Sequence, residues 1–81
     1  MNKLEIVPIL YRLMTEIFPA EPISEDISDL SMGSLKEWDS LGNFNLLLSI
    51  ENEFEVRFSA KEIGEIKSVA QIIEFLDSNH G

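Results

Sequence analysis

An all-α fold, a small four-helix bundle of three main helices and one short one, is predicted by three features of this 81-residue sequence. Apolar residues recur at spacings of three and four in separate stretches, the mark of amphipathic helices. Two Ser-x-x-Glu/Gln capping boxes stand in the last third. Only Glu53 to Phe58 alternates apolar and charged as a strand does, and no second strand is there to pair with it. The length suits one domain over residues 1–81, without repeat, low-complexity tract or linker.

The first helix is carried by Leu4, Val7, Tyr11, Met14 and Phe18, with Ile6, Leu10, Leu13 and Ile17 beside them. Proline costs about 3 kcal/mol in a helix interior. Pro8 therefore predicts a start near residues 5 to 7, or a start at Asn2 with a kink, and Pro19 and Pro22 stop the helix. Residues 19–39 lack a sustained helical period, yet Ile23, Ile27, Leu30, Met32 and Leu35 recur through them. A long loop with such residues is expected to lie packed and ordered between the first two helices.

Ser40, a hydroxyl residue before an apolar run, reads as the N-cap of the second helix. Leu41, Phe44, Leu47, Leu48, Ile50 and Phe54 supply its apolar positions. Gly42 weakens its first turn by up to about 1 kcal/mol relative to alanine, so mobility is expected there. The segment Glu53 to Phe58 reads as a helix end running into an extended connector that buries Val56 and Phe58. Ser59-Ala60-Lys61-Glu62 opens a short helix weakened by Gly64. Ser68-Val69-Ala70-Gln71 opens the last, with Ile72, Ile73, Phe75 and Leu76 on its buried face and Asn79-His80-Gly81 as its end.

Composition removes several classes of function. There is no cysteine, hence no disulfide, thiolate metal site or cysteine nucleophile. The single histidine, His80, reads as a solvated tail residue and leaves no triad or histidine metal cluster. Asp26 and Asp29 lack the ligand spacing of an EF-hand. Fifteen acids against six bases give a net charge of −9, which repels phosphate backbones and disfavours nucleic acid. A hydrophobic content of 44% is too high for disorder. No apolar run approaches a membrane span, and Pro8 and Arg12 interrupt the one candidate signal region. A cytoplasmic, monomeric, non-enzymatic module that works through partners is expected.

A serine at a helix N-terminus sits where a phosphate is favourably held. Here that serine lies in Glu37-Trp38-Asp39-Ser40-Leu41-Gly42, followed by Leu46-Leu47-Leu48-Ser49-Ile50-Glu51-Asn52-Glu53-Phe54. These residues, with the order helix, long loop, Asp-Ser-Leu helix, short helix, final helix, closely resemble the acyl carrier protein family over essentially the whole chain. The resemblance implies a carrier without catalysis of its own. Its serine, by position Ser40, would receive 4′-phosphopantetheine from coenzyme A through a magnesium-dependent phosphopantetheinyl transferase. Acyl groups would then ride as thioesters on the arm's thiol.

The resemblance also implies partner enzymes that load and consume acyl groups and dock through basic patches. The positions matching the family's docking helix are Asp39, Leu41, Asn45, Leu48, Glu51 and Asn52. Leu41 and Leu48, seven residues apart, share a face near Ser40 and are read either as docking contacts or as core. Glu51 is read as docking or as solvated surface, and Trp38 as a core plug. Fatty-acid-synthesis carriers have acids where this chain has Gly42 and Asn45, so Trp-Asp-Ser-Leu-Gly looks more like carriers of secondary metabolism or envelope-sugar modification. The peptidyl-carrier Gly-Gly-x-Ser pattern is absent. A D-alanyl or aminoacyl carrier, or an acidic helical adaptor with no prosthetic group, are the alternatives.

Overall fold

A computed structural model describes residues 2–78. It contains α1 (Lys3–Ile17), α2 (Ser40–Phe54), the six-residue α3 (Ala60–Glu65) and α4 (Val69–Ser78). α1 packs against both α2 and α4. The radius of gyration is 11.5 Å, close to the ~12 Å expected of a folded chain this long. The expected all-α architecture is present, with the long connection between α1 and α2. Asn79-His80-Gly81, expected to end α4 and to carry a tail histidine, lies outside the described residues.

α1 begins with Asn2 as its cap, the earlier of the two starts open from sequence. The Asn2 side chain accepts the Glu5 amide at 3.1 Å, which satisfies one of the orphan donors of the first turn. Pro8 lies within the helix and is exposed. The stripe Ile6, Leu10, Leu13 and Met14 is buried on the other side. At Phe18 the amide returns to the Met14 carbonyl at 2.8 Å, and Pro19 ends the run.

The loop is packed as expected, with Ile27, Leu35 and Trp38 buried. Two of its carboxylates hold it closed: Glu37 Oε1 accepts the Ala20 amide at 2.8 Å, and Glu21 Oε1 accepts the Lys36 amide at 2.6 Å. An isolated antiparallel bridge pairs Ser31 with Ser68. Its bonds run from the Met32 amide to the Lys67 carbonyl and from the Val69 amide to the Leu30 carbonyl. The loop is thereby fastened to the α3–α4 junction. Gly33 (φ +98°) makes the turn that follows, where a side chain would be strained.

The connector after α2 is entered through Glu55 in the left-handed region (φ 55°). Phe58 is buried there, its ring tilted by 36° against Phe75 with centroids 4.4 Å apart, whereas Val56, expected inside, is half-buried. The serine box of α3 forms in full, that of α4 only in part. Ser59 Oγ accepts the Glu62 amide and Glu62 Oε1 accepts the Ser59 amide. At α4 the Gln71 amide donates to Ser68 Oγ, but the Gln71 carboxamide reaches one residue further back, to the Lys67 amide. On α4, Val69, Ile72 and Leu76 are buried, while Ile73 and Phe75, expected among the buried residues, are half-buried.

α3 has no buried residue of its own, and its nearest deep anchor, Ile66, lies just past its end. A helix of six residues is marginal without tertiary support. Native-state hydrogen exchange is expected to open the amides of residues 63–65 well before those of residues 44–54. Equal protection in the two segments would contradict this reading.

Candidate functional site

The site is the start of α2, where a packed loop becomes a helix. Trp38, the last loop residue but one, is fully buried and stacks on Phe18 with ring centroids 5.8 Å apart. It is a core plug, as expected. Its indole N–H donates to Asn43 Oδ1 at 2.9 Å. The Asn43 amide group in turn donates to the Ile66 carbonyl at 2.9 Å, 23 residues along the chain. Asn43 is only 4% exposed and is the buried polar residue of the core. Sequence reasoning missed it, although Asn43 stands three, four and seven residues before Leu46, Leu47 and Ile50, all of them buried.

With Trp38 fixed, the next residue takes the cap. Asp39, not Ser40, is the N-cap of α2, its carboxylate accepting the Gly42 amide at 2.8 Å. Asp and Ser are comparably good caps, and the backbone extended at Asp39 decides between them. Ser40 becomes the first helical residue. It is exposed, and its hydroxyl meets no hydrogen-bond partner among the described residues. It is a primary hydroxyl left free beside the first-turn amides of a helix.

Gly42 is not the soft point expected from sequence. It is buried, and a Cβ built on it would overlap the Glu37 carbonyl oxygen and press on the Phe18 ring. The glycine is what lets the loop backbone cross against the helix, so the first turn is packed down.

The apolar residues of α2 divide differently from the expectation. Gly42, Asn43, Leu46, Leu47, Ile50 and Phe54 face inward. Leu41, Phe44 and Leu48, read as part of the apolar face, lie outside at 68%, 43% and 43% exposure. The alternative that Leu41 and Leu48 are core is thereby removed. Asn45 and Asn52 are exposed at the same helical spacing, so Leu41, Phe44, Asn45, Leu48 and Asn52 form one outward stripe. Glu51 is half-buried, and its Oε2 accepts the Phe58 amide at 2.8 Å, tying the connector to α2. Glu53 turns the other way, toward α1, where it pairs with Arg12 at 3.0 Å.

Two shallow grooves flank the start of α2. One, of about 240 Å³, is lined by Met32, Ser40, Asn43, Ile63, Gly64 and Lys67. The other, of about 270 Å³, lies between the end of α1 and Glu37, Asp39, Leu41 and Asn45. Among the described residues no three acids or histidines gather as metal ligands. Asp26 instead bonds locally: its carboxylate is held below the usual range by the Ser28 hydroxyl and then the Ser28 amide. No described helix is long and apolar enough to cross a membrane.

Compared with protein-family models, with curated proteins and with solved structures, the chain matches none. The functional reading therefore rests on these residues.

The two glycines give the packing a test with opposite signs. Glycine to alanine in an open helix position stabilises by about 0.5–1 kcal/mol. Gly64, whose Cβ would meet nothing within 4 Å, is expected to behave so. Gly42→Ala is expected to destabilise, read as a lower urea midpoint with unchanged slope. A stabilised Gly42→Ala would contradict the close approach of the Glu37 carbonyl.

Proposed function

We propose that the protein is a carrier whose Ser40 bears a 4′-phosphopantetheine arm, presenting acyl or related groups as thioesters to partner enzymes. The observation that carries the reading is the free, exposed hydroxyl of Ser40 on the first turn of α2, inside Asp39-Ser40-Leu41. In the attachment step the Ser40 oxygen forms a bond to the β-phosphorus of coenzyme A. Adenosine 3′,5′-bisphosphate leaves, and the serine proton passes to a base of the transferase. The chain lacks a thiol of its own, and the arm supplies one. The reading makes the protein a substrate and shuttle, not a catalyst.

Partner recognition is assigned to the outward stripe of α2. Leu41, Phe44 and Leu48 offer apolar contact next to the serine, with Asp39, Asn45, Glu51 and Asn52 around them. A net charge of −9 steers basic partners toward the chain and makes association sensitive to salt. Asn45 and Asn52 leave the stripe short of charge, so the exposed side chains supply more of the contact.

Incubation with coenzyme A, magnesium and a broad-specificity phosphopantetheinyl transferase is expected to add the mass of one arm. Ser40→Ala should abolish the gain while circular dichroism stays helical, because Asp39 and not Ser40 caps the helix. Surface changes of this kind usually stay within about 0.5 kcal/mol. An alanine variant that still gained the mass would place the site elsewhere, with Ser34 and Ser49 next to examine. No gain in the unsubstituted chain would favour the adaptor reading.

Leu48→Ala is expected to weaken cargo transfer with a cognate enzyme more than Glu53→Ala does, since Leu48 faces outward and Glu53 faces α1. Normal transfer by Leu48→Ala beside failure of Glu53→Ala would move recognition to another face.

A further inference from the structure

The surroundings of Ser40 are electrically lopsided. The groove that Ser40 lines contains a single charged residue, Lys67. The groove on the other flank of α2 carries two carboxylates, Glu37 and Asp39. Lys67 is held from both sides of its backbone: its carbonyl accepts the Met32 amide at 2.7 Å, and its amide donates to Gln71 at 2.8 Å. Its ammonium group takes no part in the ion pairs among the described residues, both of which belong to Arg12.

A second observation concerns Gly64, on the wall of the same groove. Gly33 is required by its positive φ and Gly42 by the Glu37 carbonyl. Gly64 is helical, has no positive φ, and has open space where its Cβ would be. It weakens the shortest helix by up to about 1 kcal/mol relative to alanine, and neither backbone conformation nor close packing demands it. What its missing side chain does provide is room beside Ser40.

We infer that Lys67 is the positioning residue for a phosphate carried on Ser40, holding it on the α3 side of α2 and away from Glu37 and Asp39. This rests on the assignment of Ser40 as the phosphate-bearing residue. The lysine contributes attraction, the two carboxylates contribute repulsion from the opposite flank, and Gly64 leaves the groove open for what the phosphate carries. The start of the arm is thereby directed along α3, while Leu41 on the far flank stays clear for a partner.

The test uses the full chain with phosphoserine encoded at position 40, so that it does not depend on any transferase. The second ionisation of a serine phosphate falls near pH 6 and is read by ³¹P NMR. A cation in the same groove should lower it, by on the order of half a pH unit for a unit charge in water-like surroundings. Lys67→Gln is therefore expected to raise the midpoint by that amount relative to the phosphorylated parent. Lys67→Arg should restore it, and Lys3→Gln, which removes the same charge at the distant start of α1, should leave it in place. Added salt should shrink the difference. Equal midpoints in the parent and Lys67→Gln, or an equal shift from Lys3→Gln, would overturn the role of Lys67. Transferase labelling can fail while this titration succeeds, and the reverse, so the two claims stand or fall separately.

Discussion

The amide of Asn43 holds the candidate site together. A buried carboxamide costs free energy unless its donor and acceptor are both used, and here both are, by the Trp38 indole and the Ile66 carbonyl. Those two bonds join three parts distant in sequence: the end of the long loop, the first turn of α2 and the residue that ends α3. Trp38 is thereby locked in the core, Asp39 arrives extended at the helix start, and Ser40 falls on the first exposed helical position. The groove beside Ser40 has Asn43 as a wall for the same reason. An apolar residue at position 43 could fill the space but would leave an indole N–H and a carbonyl unpaired, at about 1–3 kcal/mol each.

α2 serves two surfaces at once. Its inward side, from Gly42 to Phe54, packs against α1 and the loop, and glycine and asparagine belong to that side as fully as leucine does. Its outward side leaves Leu41, Phe44 and Leu48 exposed, outside the core cluster of the described residues. The charged residues are partitioned in the same way. Glu21, Glu37, Glu51 and Glu62 accept backbone amides and so brace loops and caps. Much of the acidity concentrated in the loop is therefore structural as well as electrostatic. The groove beside Ser40 departs from the acidity of the chain, with Lys67 as the one charged residue in its lining.

The helices, the packed loop and the serine box of α3 were legible because each has a local cause: a period, a cap or a stop. The first turn of α2 was only partly legible. Asp39 and Ser40 are adjacent and equally able to cap, so nothing local separates them; the burial of Trp38 does. The leucines were ambiguous because α2 is apolar at so many positions that the helical period does not distinguish inside from outside. Gly42 looked like a weakness because propensity scales count its entropy and not the carbonyl of Glu37, five residues away, that comes to lie on it. Asn43 was readable from its spacing to Leu46, Leu47 and Ile50, but only if a polar residue is allowed on a core face. Pro8 did not delay the start of α1: it lies inside the helix, on the exposed side away from the buried stripe.

The exposed, unbonded hydroxyl at the start of α2 is the proposed point at which the protein is loaded. The most direct measurement is the intact mass of the protein isolated from its own cells, with fragmentation to locate any added group. A phosphopantetheine-bearing species with the whole increment on Ser40 is expected. A population carrying no increment, or an increment on any other residue, would contradict it.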